Sequence, residues 1–267
     1  MAGPAQYVHG HHTSVVGSHA RRTAEDSAAY LLPHLRPGMD VLDVGCGPGS
    51  ITVDLASRVP GGRVLGIDSS VEVLNRGADL AVAQGVENVE FEPADVMSLP
   101  YAPDSFDVVH AHQLLQHLDD PVAALQEMRR VLRPGGLLAI RDADYGAMRW
   151  FPDSAALDRW HEVYLALTSH HNPDAGRQLH AWTLQAGFED VDAGASVWCY
   201  SDAVDRQWWA QSWADRVQHS SFASHAIEHD YADTAELGQI AQGWQEWAQA
   251  EGAWFVIVHG EVLARCP

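Results

Sequence analysis

The chain contains no lysine: all 16 of its basic residues are arginine, set against 36 acidic residues. Without an ε-amino group, Schiff-base chemistry and a lysine-bearing phosphate loop are excluded. The bias itself fits either genome composition or salt adaptation. Positive charge is scarce overall, and a formal net charge of −20 repels phosphate backbones and anionic lipid surfaces, so neither nucleic acid nor membrane is expected as a partner. Cysteine is also scarce. Cys46, Cys199 and Cys266 are scattered and odd in number, which offers no disulfide framework and suits a reducing compartment. His9, His11 and His12 lie close together, but no cysteine or carboxylate stands at ligand spacing, and no metal site is expected. No stretch approaches the roughly 18 apolar residues of a membrane span, and the first residues lack a basic patch followed by a long apolar run. The expected location is therefore cytoplasmic.

What is present is a hydrophobic fraction of 46% over 267 residues, enough to bury a full core. Residues 41–56 read VLDVGCGPGSITVDLA. The apolar run ending at Val44 has the length and composition of a buried parallel strand, and Ser50 to Arg58 has helical apolar spacing, so Gly45, Gly47 and Gly49 occupy a strand-to-helix turn. Lacking Cβ atoms, they permit positive φ and close approach of a flat or anionic ligand beside a helix start. Strand and helix patterns then alternate: RVLGID, SVEVLNRGADLAVAQG, NVEFEPAD, SFDVVHAHQ, PVAALQEMRRVL and GLLAIRDAD. Such alternation predicts right-handed βαβ units and a mostly parallel sheet with helices on both faces. Ligands of such sheets bind beyond the carboxyl ends of the strands, which gathers the glycine turn, Asp68, Asp95, His110 to Gln113 and Asp142 to Tyr145 around one crevice.

The second half differs in texture. All ten tryptophans lie between Trp150 and Trp254. Residues 154–170, 203–222 and 235–250 read as helices, and FEDVDAGASVWCY and GAWFVIVHGEVLA as two late strands forming an antiparallel edge pair. The helical stretches are expected to form a cap whose tryptophans are either core packing or an aromatic wall for an apolar substrate. The expected organisation is one structural domain: an N-terminal helical lid over 1–37, a cofactor-binding core over 38–145, and over 146–267 the Trp-rich cap insertions with the last strands.

A nicotinamide site prefers G-x-G-x-x-G, whereas the spacing here is G-x-G-x-G. Asp68, ending the second strand, is placed to accept from vicinal ribose hydroxyls, a role that any nucleoside cofactor would use. Taken in order, VLDVGCGPGS, the acidic end of GIDSS, the ADVMSLPYAPDSFDVVHAHQLLQHL block and the RVLRPGGLLAI turn resemble the class I S-adenosylmethionine-dependent methyltransferases, most closely the small-molecule branch typified by the ubiquinone/menaquinone-biosynthesis enzymes. The resemblance implies a Rossmann-like α/β sheet, mostly parallel with an antiparallel late strand, and S-adenosylmethionine as cofactor. It implies that Asp43 and the backbone of Gly45, Cys46 and Gly47 surround the methionine part, that Asp68 with adjacent Ser69 binds the ribose, and that Asp95, the Val96 amide and Ala94 address the adenine. His110 to Gln113 would border the sulfonium. Tyr7 and Arg22, in the lid, would contact the cofactor carboxylate. Blander roles stand beside these: a helix cap or turn aspartate for Asp95 and a solvated surface arginine for Arg22.

Methyl transfer from a sulfonium is an in-line displacement, so alignment and a dry cavity are the main requirements, with a base where the acceptor must lose a proton. His112, His117 and Asp144 are the candidate bases, and Asp142 and Tyr145 candidate orienters of the substrate. The expected function is methylation of a small molecule. The alternatives are a cofactor-binding protein or cyclase that retains the methyl, and, more weakly, a nicotinamide oxidoreductase.

Overall fold

The computed structural model describes residues 22–267. Thr23 starts a short helix α1 (Ala24–Ser27) with a capping box, its hydroxyl accepting from the Asp26 amide. There follow β1 (Val41–Val44), α2 (Ser50–Arg58), β2 (Val64–Asp68), α3 (Val71–Gln84), β3 (Val89–Pro93), β4 (Phe106–His112), α4 (Pro121–Val131) and β5 (Leu132–Phe151). Beyond β5 come α5 (Ala155–Thr168), α6 (Ala175–Gln185), β6 (Asp190–Tyr200), α7 (Ala203–His219), α8 (Ser221–Glu228), α9 (Thr234–Gln249) and β7 (Trp254–Arg265).

The seven strands form one sheet in the order β3-β2-β1-β4-β5-β7-β6, with β1 parallel to β2 and β4, β2 to β3, and β4 to β5. Along β5 and β7 the numbers run in opposite senses: the Cys266 N–H donates to Gly136 O at 2.8 Å, while Arg141 meets Glu261. The strand β7 is therefore antiparallel to β5, and with β6 it forms the pair at this edge of the sheet, β6 being the outermost strand. Strand order reverses between β1 and β4, which makes the ends of these two strands the switch point where an α/β sheet opens a crevice.

The chain forms two units, dividing inside the three long strands. One comprises residues 22–143 with Ala175–Ser196 and His259–Pro267. Its apolar strands read as continuous hydrophobic runs because both faces are covered: Leu42, Leu65, Val109 and Leu138 enter one core, while their neighbours Val41, Val64, Val108 and Ala139 enter the other. The other unit comprises Asp144–Asp174 with Val197–Val258. Its centre is aromatic: Trp160 lies with its ring 4.6 Å from Trp213 and 4.8 Å from Trp244, and all three are buried beside Phe255 and Tyr164. Trp182 belongs to the first unit, packed against its core. The helix expected over 203–222 breaks at Ser220, whose hydroxyl accepts from the Phe222 amide and starts α8.

Candidate active site

The glycine turn after β1 has a separate reason for each glycine. Gly45, Gly47 and Gly49 all take positive φ (69°, 54° and 78°). A Cβ on Gly49 would stand 2.8 Å from Gly77 Cα and from the Phe91 ring, so this residue lets α2 close against α3 and β3. A Cβ on Gly45 would meet Leu114 Cδ1 at 2.9 Å, which brings the segment after β4 directly against the turn. At Gly47 a Cβ would meet no atom of the described residues within 4 Å. Here the left-handed backbone is uncovered by the described residues, as a ligand cradle requires.

Asp68 ends β2 half-buried, its carboxylate accepting from the Gly47 amide at 3.1 Å and the Ser70 amide at 3.0 Å. These bonds orient the carboxylate beside the turn while leaving acceptor capacity for hydroxyls. Ser69 next to it is exposed, and the Ala94 amide donates to Asp68 O at 3.3 Å, which ties the end of β3 to the same place. Asp95 is exposed and caps the turn at 96–98 by accepting from the Met97 amide at 2.9 Å. Val96 is buried beneath it. Cys46 is half-buried, and burial pushes its thiol pKa up, so it is a neutral spacer in the turn.

Asp43 and His110 are enclosed and turned to one another. The His110 Nδ1–Asp43 Oδ1 distance is 2.7 Å, and the other Asp43 oxygen accepts from Thr52 Oγ1 at 2.6 Å. Their polar contacts thus stitch β1, β4 and α2 together beneath the turn.

Beyond β4 the polar side chains gather more densely. Gln113 accepts from Arg22 Nη2 at 2.7 Å, and its Nε2 lies 2.9 Å from His259 Nε2 of β7. His112 is buried, its ring stacked 6.1 Å from that of His259. Burial above all, then the charges of Arg22 and Arg141, hold its pKa well below the usual imidazole value, so it is neutral at pH 7. Asp142, in the middle of β5, is fully buried and accepts from the Leu115 and Gln116 amides at 3.2 and 3.3 Å; burial raises its pKa to about 7. Arg141 is likewise enclosed, paired through Nε with Glu261 at 3.1 Å and Ser196 at 3.0 Å, with its pKa lowered by burial to about 10. His117 is half-buried, its Nε2 3.1 Å from Gln116 Nε2.

The residues expected from sequence fall into three groups. Arg22, Asp43, Gly45, Cys46, Gly47, Asp68, Ser69, Ala94, Asp95, Val96, His110, His112, Gln113 and His117 share one unit. Asp144 and Tyr145 belong to the other; Asp144 is buried, and the Tyr145 amide donates to Pro173 O at 2.8 Å. Tyr7 and the histidines near the start lie outside the described residues. Sequence reasoning missed His259, Arg141 and Glu261. The signal was faint: HGE interrupting the apolar run of β7, and one arginine in that of β5, which meet only through strand pairing more than a hundred positions apart. Among the described residues no cluster could hold a metal ion, and no helix is long and apolar enough to cross a membrane.

Comparison with known proteins identifies the family. A family model described as a methyltransferase domain matches residues 35–209. An uncharacterized methyltransferase of Schizosaccharomyces pombe is 32% identical over 266 residues, covering 96% of this chain and 95% of its own. The 27-O-demethylrifamycin SV methyltransferase of Amycolatopsis mediterranei is 42% identical over 118 residues, 44% of this chain and 43% of its own. In fold, the YcgJ protein of Bacillus subtilis superimposes with a TM-score of 0.56 at 17% identity, covering 89% of this chain and 96% of that one. With a family match over most of its length and a full-length relative above 30% identity, the chain belongs to the class I S-adenosylmethionine-dependent methyltransferases.

Proposed function

We propose that the protein methylates a small-molecule acceptor, holding S-adenosylmethionine at the ends of β1, β2 and β4. The observation that carries this reading is the Gly47 backbone, left-handed and uncovered by the described residues, with the Asp68 carboxylate fixed 3.1 Å from its amide. The residues fit the cofactor: Gly45, Cys46 and Gly47 supply bare main chain for its methionine part, Asp68 with Ser69 accepts from the ribose, and Ala94, Asp95 and Val96 surround the base. Arg22 and Gln113 border the end that carries the sulfonium and carboxylate. Asp43 and His110 serve from beneath, setting the shape of the turn. When bound, the cofactor supplies an electrophilic methyl group.

The chain's own contribution is alignment and a place for the acceptor's proton. His112 suits the latter best, since its neutral ring can accept a proton; His117 and Asp144 are the further candidates. A charge of −20 disfavours polyanionic acceptors, and a relative named for a discrete compound supports a small one. The methyltransferase relatives do not favour the oxidoreductase, binding-protein or cyclase alternatives.

The test is calorimetric titration with S-adenosylmethionine and S-adenosylhomocysteine, followed by detection of S-adenosylhomocysteine formation with hydroxylated small molecules. Asp68→Ala should weaken cofactor binding by about 1–3 kcal/mol, the worth of hydrogen bonds to a charged group. No heat with either ligand in the wild type would refute the site, and an unchanged dissociation constant in the variant would remove Asp68 from it.

A further inference from the structure

Arg22, Gln113 and His259 come from three distant segments, yet they form one line of hydrogen bonds, 2.7 Å from Arg22 Nη2 to Gln113 Oε1 and 2.9 Å from Gln113 Nε2 to His259 Nε2. A guanidinium only donates, so the first bond fixes which end of the Gln113 amide is oxygen. The amide NH2 then faces His259. An NH2 group only donates as well, so His259 Nε2 must present its lone pair, and the single proton of the neutral ring sits on Nδ1. Protonating Nε2 would set N–H against N–H. Turning the amide over to relieve that clash would set its NH2 against Arg22, so no orientation of Gln113 satisfies both Arg22 and an imidazolium.

Gln113 has little freedom to move away. Its backbone is held at φ +53°, a conformation that costs a non-glycine residue about 1 kcal/mol, and its amide donates to Arg141 O at 2.7 Å. Of the charged and titratable groups on the elements around His259, the cations act in the same sense, and only an ionised carboxylate acts against it. His112 stacks on it from β4, with His110 and Arg141 acting on the His112 ring, and Arg22 lies across Gln113; β5 also carries Asp142, a carboxyl of opposite sense whose burial favours its neutral form. Glu261, two residues along β7, is engaged by Arg141.

We infer that His259 is a positioning residue: only its neutral Nδ1–H form holds Arg22, through Gln113, between the end of β4 and the middle of β7. The sign follows. The latched state binds one proton fewer than the unlatched one, so acid weakens the latch and base favours it.

The inference deepens the proposed cofactor site, because Arg22 is assigned to that site, but its first test needs no ligand. In protein labelled with 15N in histidine, the His259 ring, identified by its loss in His259→Gln, should show a protonated Nδ1 and an unprotonated Nε2 at pH 8. Arg22→Met should free Gln113 to present its oxygen, and the Nε2–H tautomer should appear; removing a charge alone would not change which nitrogen is protonated. A wild-type Nε2–H tautomer, or a tautomer unmoved in Arg22→Met, overturns the inference. The second test is calorimetry with S-adenosylhomocysteine from pH 8 to 5. Wild-type affinity should fall as the pH is lowered. His259→Gln, which keeps an acceptor at similar reach but cannot titrate, should lose less, with only the buried His112 setting its slope, and His259→Phe should bind weakly throughout. If the tautomers behave as expected and affinity does not follow them, the latch stands and Arg22 leaves the cofactor site.

Discussion

At the scale of single residues, Gly47 and Gly49, two positions apart, make different demands. Gly47→Ala adds a methyl that meets none of the described residues and costs about 1 kcal/mol of backbone strain, yet it should weaken cofactor binding by far more than it weakens the fold. Gly49→Ala drives a Cβ into Gly77 Cα and Phe91, and should lower stability by several-fold more than Gly47→Ala, a contrast that urea denaturation of the two variants would read. Asp142 gives a pH signature of its own. Its folded pKa of about 7 lies above the unfolded carboxylate value, so its contribution to stability is full below about pH 4 and is lost as pH rises towards 7. Asp142→Asn should flatten that part of the profile, with a difference of as much as about 4 kcal/mol between the two pH limits in the wild type. His112, its pKa depressed, works in the opposite direction and loses its contribution as pH falls below about 6.5. An unaltered profile in the Asn variant would show that Asp142 is ionised in the fold at neutral pH.

At the scale of elements, the aromatic helices settle between two readings of one composition. Trp160, Trp213 and Trp244 are buried on α5, α7 and α9 with edge-to-face rings, which makes them the core of their unit. Trp160→Ala should therefore cost about 3–5 kcal/mol in denaturant; a raised KM for the acceptor with stability intact would instead assign it to a substrate wall. The local strand-and-helix pattern of the first half was legible because each element there is bounded by its own signals: Ser70 and Gly85 around α3, Asp120 and Pro121 at the start of α4. In the second half, α6 gave no periodic signal strong enough to name, and β5 runs to Phe151, well beyond the apolar stretch that marked it, because strand pairing carries polar residues along.

At the scale of the whole molecule, a charge of −20 has a cost that salt removes. Raising sodium chloride from about 0.05 to 0.5 M should increase the Tm by about 2–5 °C through screened self-repulsion, as read by scanning calorimetry. A Tm that falls instead would mean that ion pairs such as Arg133 with Asp40 and Asp107 outweigh the repulsion. The strand order β3-β2-β1-β4-β5-β7-β6 gathers Gly47, Asp68 and Gln113 although they lie in three separate turns. Ordered motifs at strand ends made that convergence legible in advance, since a parallel α/β sheet turns the carboxyl ends of its strands to one edge.

By itself the sequence determined the glycine turn, the acid at the end of β2 and the family, because each is written in contiguous residues whose backbone preferences act locally. Tertiary structure alone decided that Asp43 and His110 face each other beneath the turn, that Arg141 finds Glu261, and that His259 meets Gln113. Those pairings depend on the register of β7 against β5 and its insertion before β6, which is set by the packing of whole strands, and no spacing along the chain encodes which buried donor will find which acceptor.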